Sequence, residues 1–150
     1  MADAAPSQIP PSVERVLKQF QRMSREEKMQ ALVAYSRKLE PLPERLAQLD
    51  RATFTVPECQ TRVDVFPEYR DGKMHYYADL DVKRSPTIAA FLALLFQAIN
   101  EQPPAVTLAI PTDFVRAVMD GMGLAAREVG LNAMLTRIKR YAAQAEAQAA

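Results

Sequence analysis

The order of periodicities along the chain predicts an α+β domain. Apolar residues recur at helical spacing in the first and last thirds, while the middle alternates with a period of two. Asp71-Gly72 places a tight-turn signal between two strand-like runs. Helices, then strands, then helices, without strict alternation, describe a small antiparallel sheet of two or three strands packed against helices. Two strands alone are marginal, so helices must cover one face. A length of 150 residues suits a single domain.

Residues 1–11 are rich in Ala and Pro and are expected to be disordered, leaving a domain over 12–143 and an Ala/Gln tail over 144–150 that should fray. Ser12 is the expected cap of a first helix whose stripe is Val13, Val16, Leu17, Phe20 and Met23. Ser24-Arg25-Glu26-Glu27 reads as a capping box. It opens a second helix with Met29, Leu32, Val33 and Leu39 expected inward and Pro41 as its stop. Glu44 to Asp50 suits one further helical turn or two. Phe54-Thr55-Val56 and Thr61–Phe66 read as strand, with Val63 and Val65 on one face and Arg62 and Asp64 on the other. Pro67 should end or edge that strand, and Met74–Leu80 is the return strand.

Ser85-Pro86 is an N-cap followed by proline at the first helical position. The helix from there to Asn100 is apolar almost all round and is expected to be the central buried helix. A short segment follows Pro103-Pro104, and Pro111-Thr112 begins a helix with Phe114, Val115, Val118 and Met119 inward. Gly121 and Gly123 break it. The last helix carries Val129, Leu131, Met134, Leu135, Ile138 and Tyr141 as its inner stripe. Its basic residues Arg137, Lys139 and Arg140 lie toward the C-terminal end, where they complement the helix dipole.

Composition narrows the function. Net charge is +1, with no basic stripe interleaved with aromatics, which argues against a nucleic-acid partner. The apolar run Ile88–Ile99 spans 12 residues, too few to cross a bilayer, so no membrane partner is expected. Met1–Pro10 lacks the basic and apolar regions of a signal peptide, and one cysteine cannot form an internal disulfide. The expected location is cytoplasmic.

Cys59, the single cysteine, falls where strand-like sequence is interrupted by Pro57 and Glu58. A thiol at a loop tip is a candidate nucleophile or sulfur carrier. A buried structural thiol is the competing reading, since free cysteine is among the most buried residue types. His75 is the single histidine. One His and one Cys do not make a zinc site of the usual ligand number. A Cys59–His75 dyad would make a cysteine hydrolase, but no orienting third group can be picked out. No glycine-rich phosphate loop is present, and no bound cofactor is expected.

Five stretches, in order, carry a resemblance. They are Leu39-Glu40-Pro41-Leu42-Pro43, Cys59-Gln60-Thr61-Arg62-Val63, Ala78-Asp79-Leu80-Asp81, the apolar helix after Ser85, and Arg127-Glu128-Val129-Gly130-Leu131-Asn132-Ala133-Met134. Together they resemble the SufE family, the sulfur acceptors of cysteine desulfurases in iron–sulfur cluster assembly. The resemblance implies a SufE/IscU-like fold, with Cys59 as persulfide acceptor and Arg127 as the arginine near it. Candidate partner contacts are Glu58, Gln60, Asp79 and Asp81. The implied partners are a SufS-like desulfurase, which would carry the pyridoxal phosphate, and an iron–sulfur scaffold complex; a homodimer is left open. The chain departs from the family pattern at Glu58, where the family has glycine, at Thr61 and Ala126, where it has serine, and by about three extra residues near Lys83 to Pro86. These departures define an alternative, an adaptor that binds the desulfurase without efficient sulfur relay. An arginine near the sulfur, Arg62 or Arg127, would oppose the effect of Glu58 on the thiol.

Overall fold

The computed structural model describes residues 8–123 and 125–149; residues 1–7 of the segment expected to be disordered lie outside them. Among the described residues there are seven helices and one two-stranded antiparallel sheet, an α+β architecture.

Helix α1 (Pro11–Gln21) starts on Pro11 with Pro10 at the cap position, so Ser12 lies inside the first turn rather than capping it. Its inner face is Val13, Val16 and Phe20. Helix α2 (Arg25–Ser36) opens on the capping box: the Glu27 amide donates to Ser24 Oγ (3.1 Å) and the Ser24 amide to Glu27 Oε1 (2.8 Å). Its buried row is Lys28, Leu32 and Ser36, and Met29 and Val33 are 50% and 53% exposed. Leu32 is inward as expected; Met29 and Val33 are corrected to the outer face, and Leu39 lies beyond the end of the helix. The two buried polar side chains have partners: Lys28 Nζ donates to the Asp120 carbonyl (2.7 Å) and Ser36 Oγ to the Val33 carbonyl (2.7 Å). The helix ends at Ser36, five residues before Pro41.

A single turn, α3 (Glu44–Ala47), and a 3₁₀ turn (Arg51–Thr53) lead to the sheet. Phe54-Thr55-Val56 forms no strand of its own. It lies along the start of the next strand through two backbone bonds, Val56 N–H to Val63 O and Val65 N–H to Phe54 O, each 2.9 Å. Strands β1 (Asp64–Arg70) and β2 (Lys73–Asp79) pair from Asp64 opposite Asp79 to Arg70 opposite Lys73. Asp71 (φ 55°) and Gly72 (φ 76°) both lie in the left-handed region, which gives the turn the twist of a two-residue hairpin. Pro67 sits inside β1, opposite Tyr76. Tyr76 turns its amide and carbonyl to the Asn100 side chain (2.8 and 3.2 Å), so the ladder asks no donor of Pro67.

Asp64 is the main departure from strand alternation. Expected outward, it is 1% exposed. It accepts from Thr55 Oγ1 (2.6 Å) and pairs with Arg62 (3.2 Å) and Arg51 (3.5 Å). A buried carboxylate is tolerated where such partners surround it.

Helix α4 (Pro86–Ile99) buries eleven of its 14 residues. The sheet, α1 and α2 pack around it. Tyr76 stacks on Phe96 (5.9 Å between ring centres). Helices α5 (Pro104–Leu108) and α6 (Phe114–Met119) follow, with Phe114 edge-on to Phe91 (6.0 Å). The long helix α7 (Ala125–Ala149) buries Leu131, Met134, Leu135, Ile138, Ala142 and Ala145. It runs through the tail expected to fray, because the small side chain of Ala145 still packs into the core. Val129, expected inward, is 69% exposed.

The two faces of α2 separate under mutation. Leu32→Ala removes buried methyl groups and should cost about 2–5 kcal/mol. Val33→Ala, on the exposed face, should stay within about 0.5 kcal/mol. Urea unfolding of both variants reads the difference; equal losses would contradict the observed face.

Candidate functional site

The loop between Val56 and Val63 is pinned at both ends by the backbone bond joining those two residues. A turn brings the Cys59 amide to the Val56 carbonyl (3.3 Å). Thr61 Oγ1 meets Ser85 Oγ at 3.0 Å. Ser85, 2% exposed, stands at the cap position of α4 but makes no side-chain cap bond. Its hydroxyl instead ties the loop to the first turn of the central helix, and Thr61 supplies the hydroxyl that a serine would.

Cys59 is a free, half-buried thiol. It borders a cavity of about 360 Å³ whose floor is Ile88 from α4 with Leu131 and Met134 from α7. Those three side chains are buried and apolar. Glu58 and Arg127, both exposed, stand at the rim. Burial pushes the thiol above its ordinary range, the Glu58 carboxylate pushes it further, and the Arg127 guanidinium pulls it back. Arg62, the other candidate for that role, is turned to Asp64 and does not line this cavity.

The structure brings Cys59, Glu58, Gln60 and Arg127 together around one cavity. It places Asp79 and Asp81 in a neighbouring groove of about 580 Å³, which shares only Gln60 and Thr61 with the first. In that groove the Asp79 carboxylate is held by Arg51. Asp81 Oδ1 accepts from the amides of Lys83 (3.2 Å) and Arg84 (3.4 Å), which shapes the turn into α4.

His75 is not beside Cys59. Its Nδ1 meets Glu101 Oε2 and its Nε2 meets Glu40 Oε1, both at 2.7 Å, so both ring nitrogens are engaged by carboxylates. The Cys–His dyad of a hydrolase is not assembled. Among the described residues, no group of three or more His, Cys, Asp or Glu side chains gathers to hold a metal. No helix among them is long and apolar enough to cross a membrane.

Sequence reasoning passed over three residues here. Arg51 holds Asp64 and Asp79 together, Val129 stands exposed on the cavity rim, and Gly130 lies against the cysteine. For Gly130 a signal was present, since a glycine inside a helical stripe is unfavourable and calls for a reason. The Ala126 side chain lies outside the described residues.

Comparison with known proteins decides the family. The SufE model, described as an Fe-S metabolism associated domain, matches residues 14–142. The chain belongs to the SufE family. Two uncharacterized SufE-like proteins from strains of Mycobacterium tuberculosis are 32% identical to it over 150 residues, covering 95% of this chain and 99% of theirs. A SufE-like protein of Synechocystis is 29% identical over 110 residues, covering 73% of this chain and 65% of its own. The solution structure of a hypothetical protein from Thermus thermophilus superposes with a TM-score of 0.81 at 27% identity, over 93% of this chain and 99% of that one. Membership associates this SufE-family chain with iron–sulfur metabolism.

The charges at the rim set the reactivity of the thiol. Glu58→Gln should raise the rate of Cys59 alkylation at pH 7, and Arg127→Gln should lower it. Each change should be about two- to threefold, the scale of one exposed charge at ~6 Å in water-like dielectric. Iodoacetamide rates against pH check both signs; the wild-type profile should turn over above the ordinary range of a free thiol.

Proposed function

We propose that this protein accepts sulfane sulfur on Cys59 from a cysteine desulfurase, stimulates that enzyme by clearing its persulfide, and relays the sulfur to iron–sulfur cluster assembly. The observation that carries this reading is one free thiol, half-withdrawn at the mouth of an apolar cavity and faced by Arg127, in a chain of the SufE family.

The transfer is a thiol–disulfide exchange and needs no oxidant. The Cys59 thiolate attacks the outer sulfur of the donor persulfide, a new S–S bond forms, and the donor's own cysteine leaves as thiolate. Arg127 favours the attacking anion. Ile88, Leu131 and Met134 offer the transferred sulfur an apolar surface away from water. The chain itself uses no cofactor in this step; carbon–sulfur cleavage belongs to the pyridoxal phosphate of the desulfurase. A free thiol of this kind suits a reducing compartment such as the cytoplasm. Glu58 and Gln60 beside the sulfur, with Asp79 and Asp81 in the adjoining groove, form the docking face toward the desulfurase.

A second reading is favoured by the raised thiol: an adaptor that docks and stimulates without efficient relay. One experiment separates the two. The protein is incubated with desulfurase and cysteine, and its intact mass is read with and without alkylation. A gain of one sulfur, abolished by Cys59→Ser together with stimulation, is the expected result. Stimulation that survives Cys59→Ser, with no gain in mass, would establish the adaptor.

A further inference from the structure

Gly130 is the sixth residue of α7, in regular helix. The chain's other three glycines sit at positive φ with open space around them, where the backbone accounts for them. Gly130 has no such reason, and glycine inside a helix costs about 1 kcal/mol relative to alanine. The reason lies across from it. A β-carbon on Gly130 would stand 3.1 Å from Cys59 Sγ, 3.9 Å from Cys59 Cα and 4.0 Å from the Glu58 carbonyl oxygen. All three nearest atoms belong to the cysteine loop. The closest distance is well inside the ~3.5–4.0 Å at which heavy atoms rest against each other.

We propose that Gly130 is the seat of Cys59, a positioning residue whose missing side chain lets the loop dock on α7 with the sulfur half-withdrawn from solvent. The inference rests on Cys59 as the sulfur acceptor and adds what holds that thiol in its resting place. The seat explains the burial that makes the free thiol quiet: the same approach that admits the sulfur also strips water from it. The loop's other anchors are the Val56–Val63 bond, the Cys59–Val56 turn bond and the Thr61–Ser85 contact; none of them reaches α7, so the seat sets how closely the tip approaches that helix. Lifting the tip exposes the sulfur without unfolding the domain.

Gly130→Ala and Gly130→Ser test the seat in the free protein, with Thr136→Ala at an exposed position of α7 as control. Circular dichroism first confirms a folded helix. The alkylation rate of Cys59 at pH 7 should rise at least about threefold in both glycine variants and stay at the wild-type level in the control, with the pH midpoint shifted downward as the thiol regains water. Rates within about 1.5-fold of wild type, or slower, would overturn the proposal. If the glycine variants fold poorly, a double-mutant cycle on melting temperature decides. Cys59→Ala should relieve the loss caused by Gly130→Ala, and additive effects would overturn the direct contact. No desulfurase enters these measurements. Failure of sulfur loading would therefore sink the acceptor reading while leaving the seat standing, and the reverse also holds.

Discussion

Burial of α4 is the constraint on which the rest of the molecule depends. A two-stranded hairpin cannot hold itself together in water. Here it has a floor because nearly every turn of α4 is apolar, so the helix needs cover on all sides. The sheet covers one side, and α1 and α2 cover others. Phe91, Leu92, Leu94 and Leu95 are fully buried, and each contributes about 1.5–3 kcal/mol by leaving water. The outer edge of β2 is closed by the residues just after α4: Asn100 takes the Tyr76 backbone, and Glu101 and Gln102 pair with Met74. One helix thus supplies both the core and the protection of the sheet edge.

The same helix fixes the site. Its first residues lie where the cysteine loop returns to β1, and the Ser85 hydroxyl is spent on Thr61 instead of on its own helix end. The loop therefore sits across the junction of α4 and α7, with Ile88 on one side and Leu131 and Met134 on the other. The charged groove beyond Gln60 is organised differently. Asp64 is buried and held by three partners, and Arg51 links it to Asp79. Removing one partner from such a network leaves a buried charge uncompensated. The groove is in this respect held by charge pairs, beside a tip that packs against Gly130.

Much of this was legible in sequence because the signals are local. The capping box, the Asp71-Gly72 hairpin, the Ser85-Pro86 start and the apolar α4 all depend on residues within a few positions of one another, and each appears where those residues place it, whereas the helix expected from Pro111-Thr112 begins only at Phe114. The misread positions are those where a distant partner decides. Met29 and Val33 look inward by type, yet the buried row runs through Leu32 and Lys28, whose ammonium is satisfied by the Asp120 carbonyl 92 residues away. Asp64 looks outward by alternation until Arg51 and Thr55 fold over it. Val129 looks like core by type, yet it stands exposed on the rim of the cavity below the cysteine loop. The thiol was identifiable as the one cysteine of the chain, and Arg127 beside it through the family resemblance; the apolar floor and Gly130 were not, since α7 brings Gly130, Leu131 and Met134 from about 70 residues downstream.

The opposing influences on Cys59 bear on the carrier role we propose. A thiol kept strongly anionic would attack and oxidise indiscriminately, while a fully buried one could not meet a donor. Here burial and Glu58 hold the thiol up, and only Arg127 favours the anion. Both charged groups are exposed at the rim of the cavity. A partner that neutralises Glu58 while lifting the tip from Gly130 removes both suppressing influences in one event. Under the proposed function, reactivity is then conferred by contact, and the sulfur moves only where a donor is already in place.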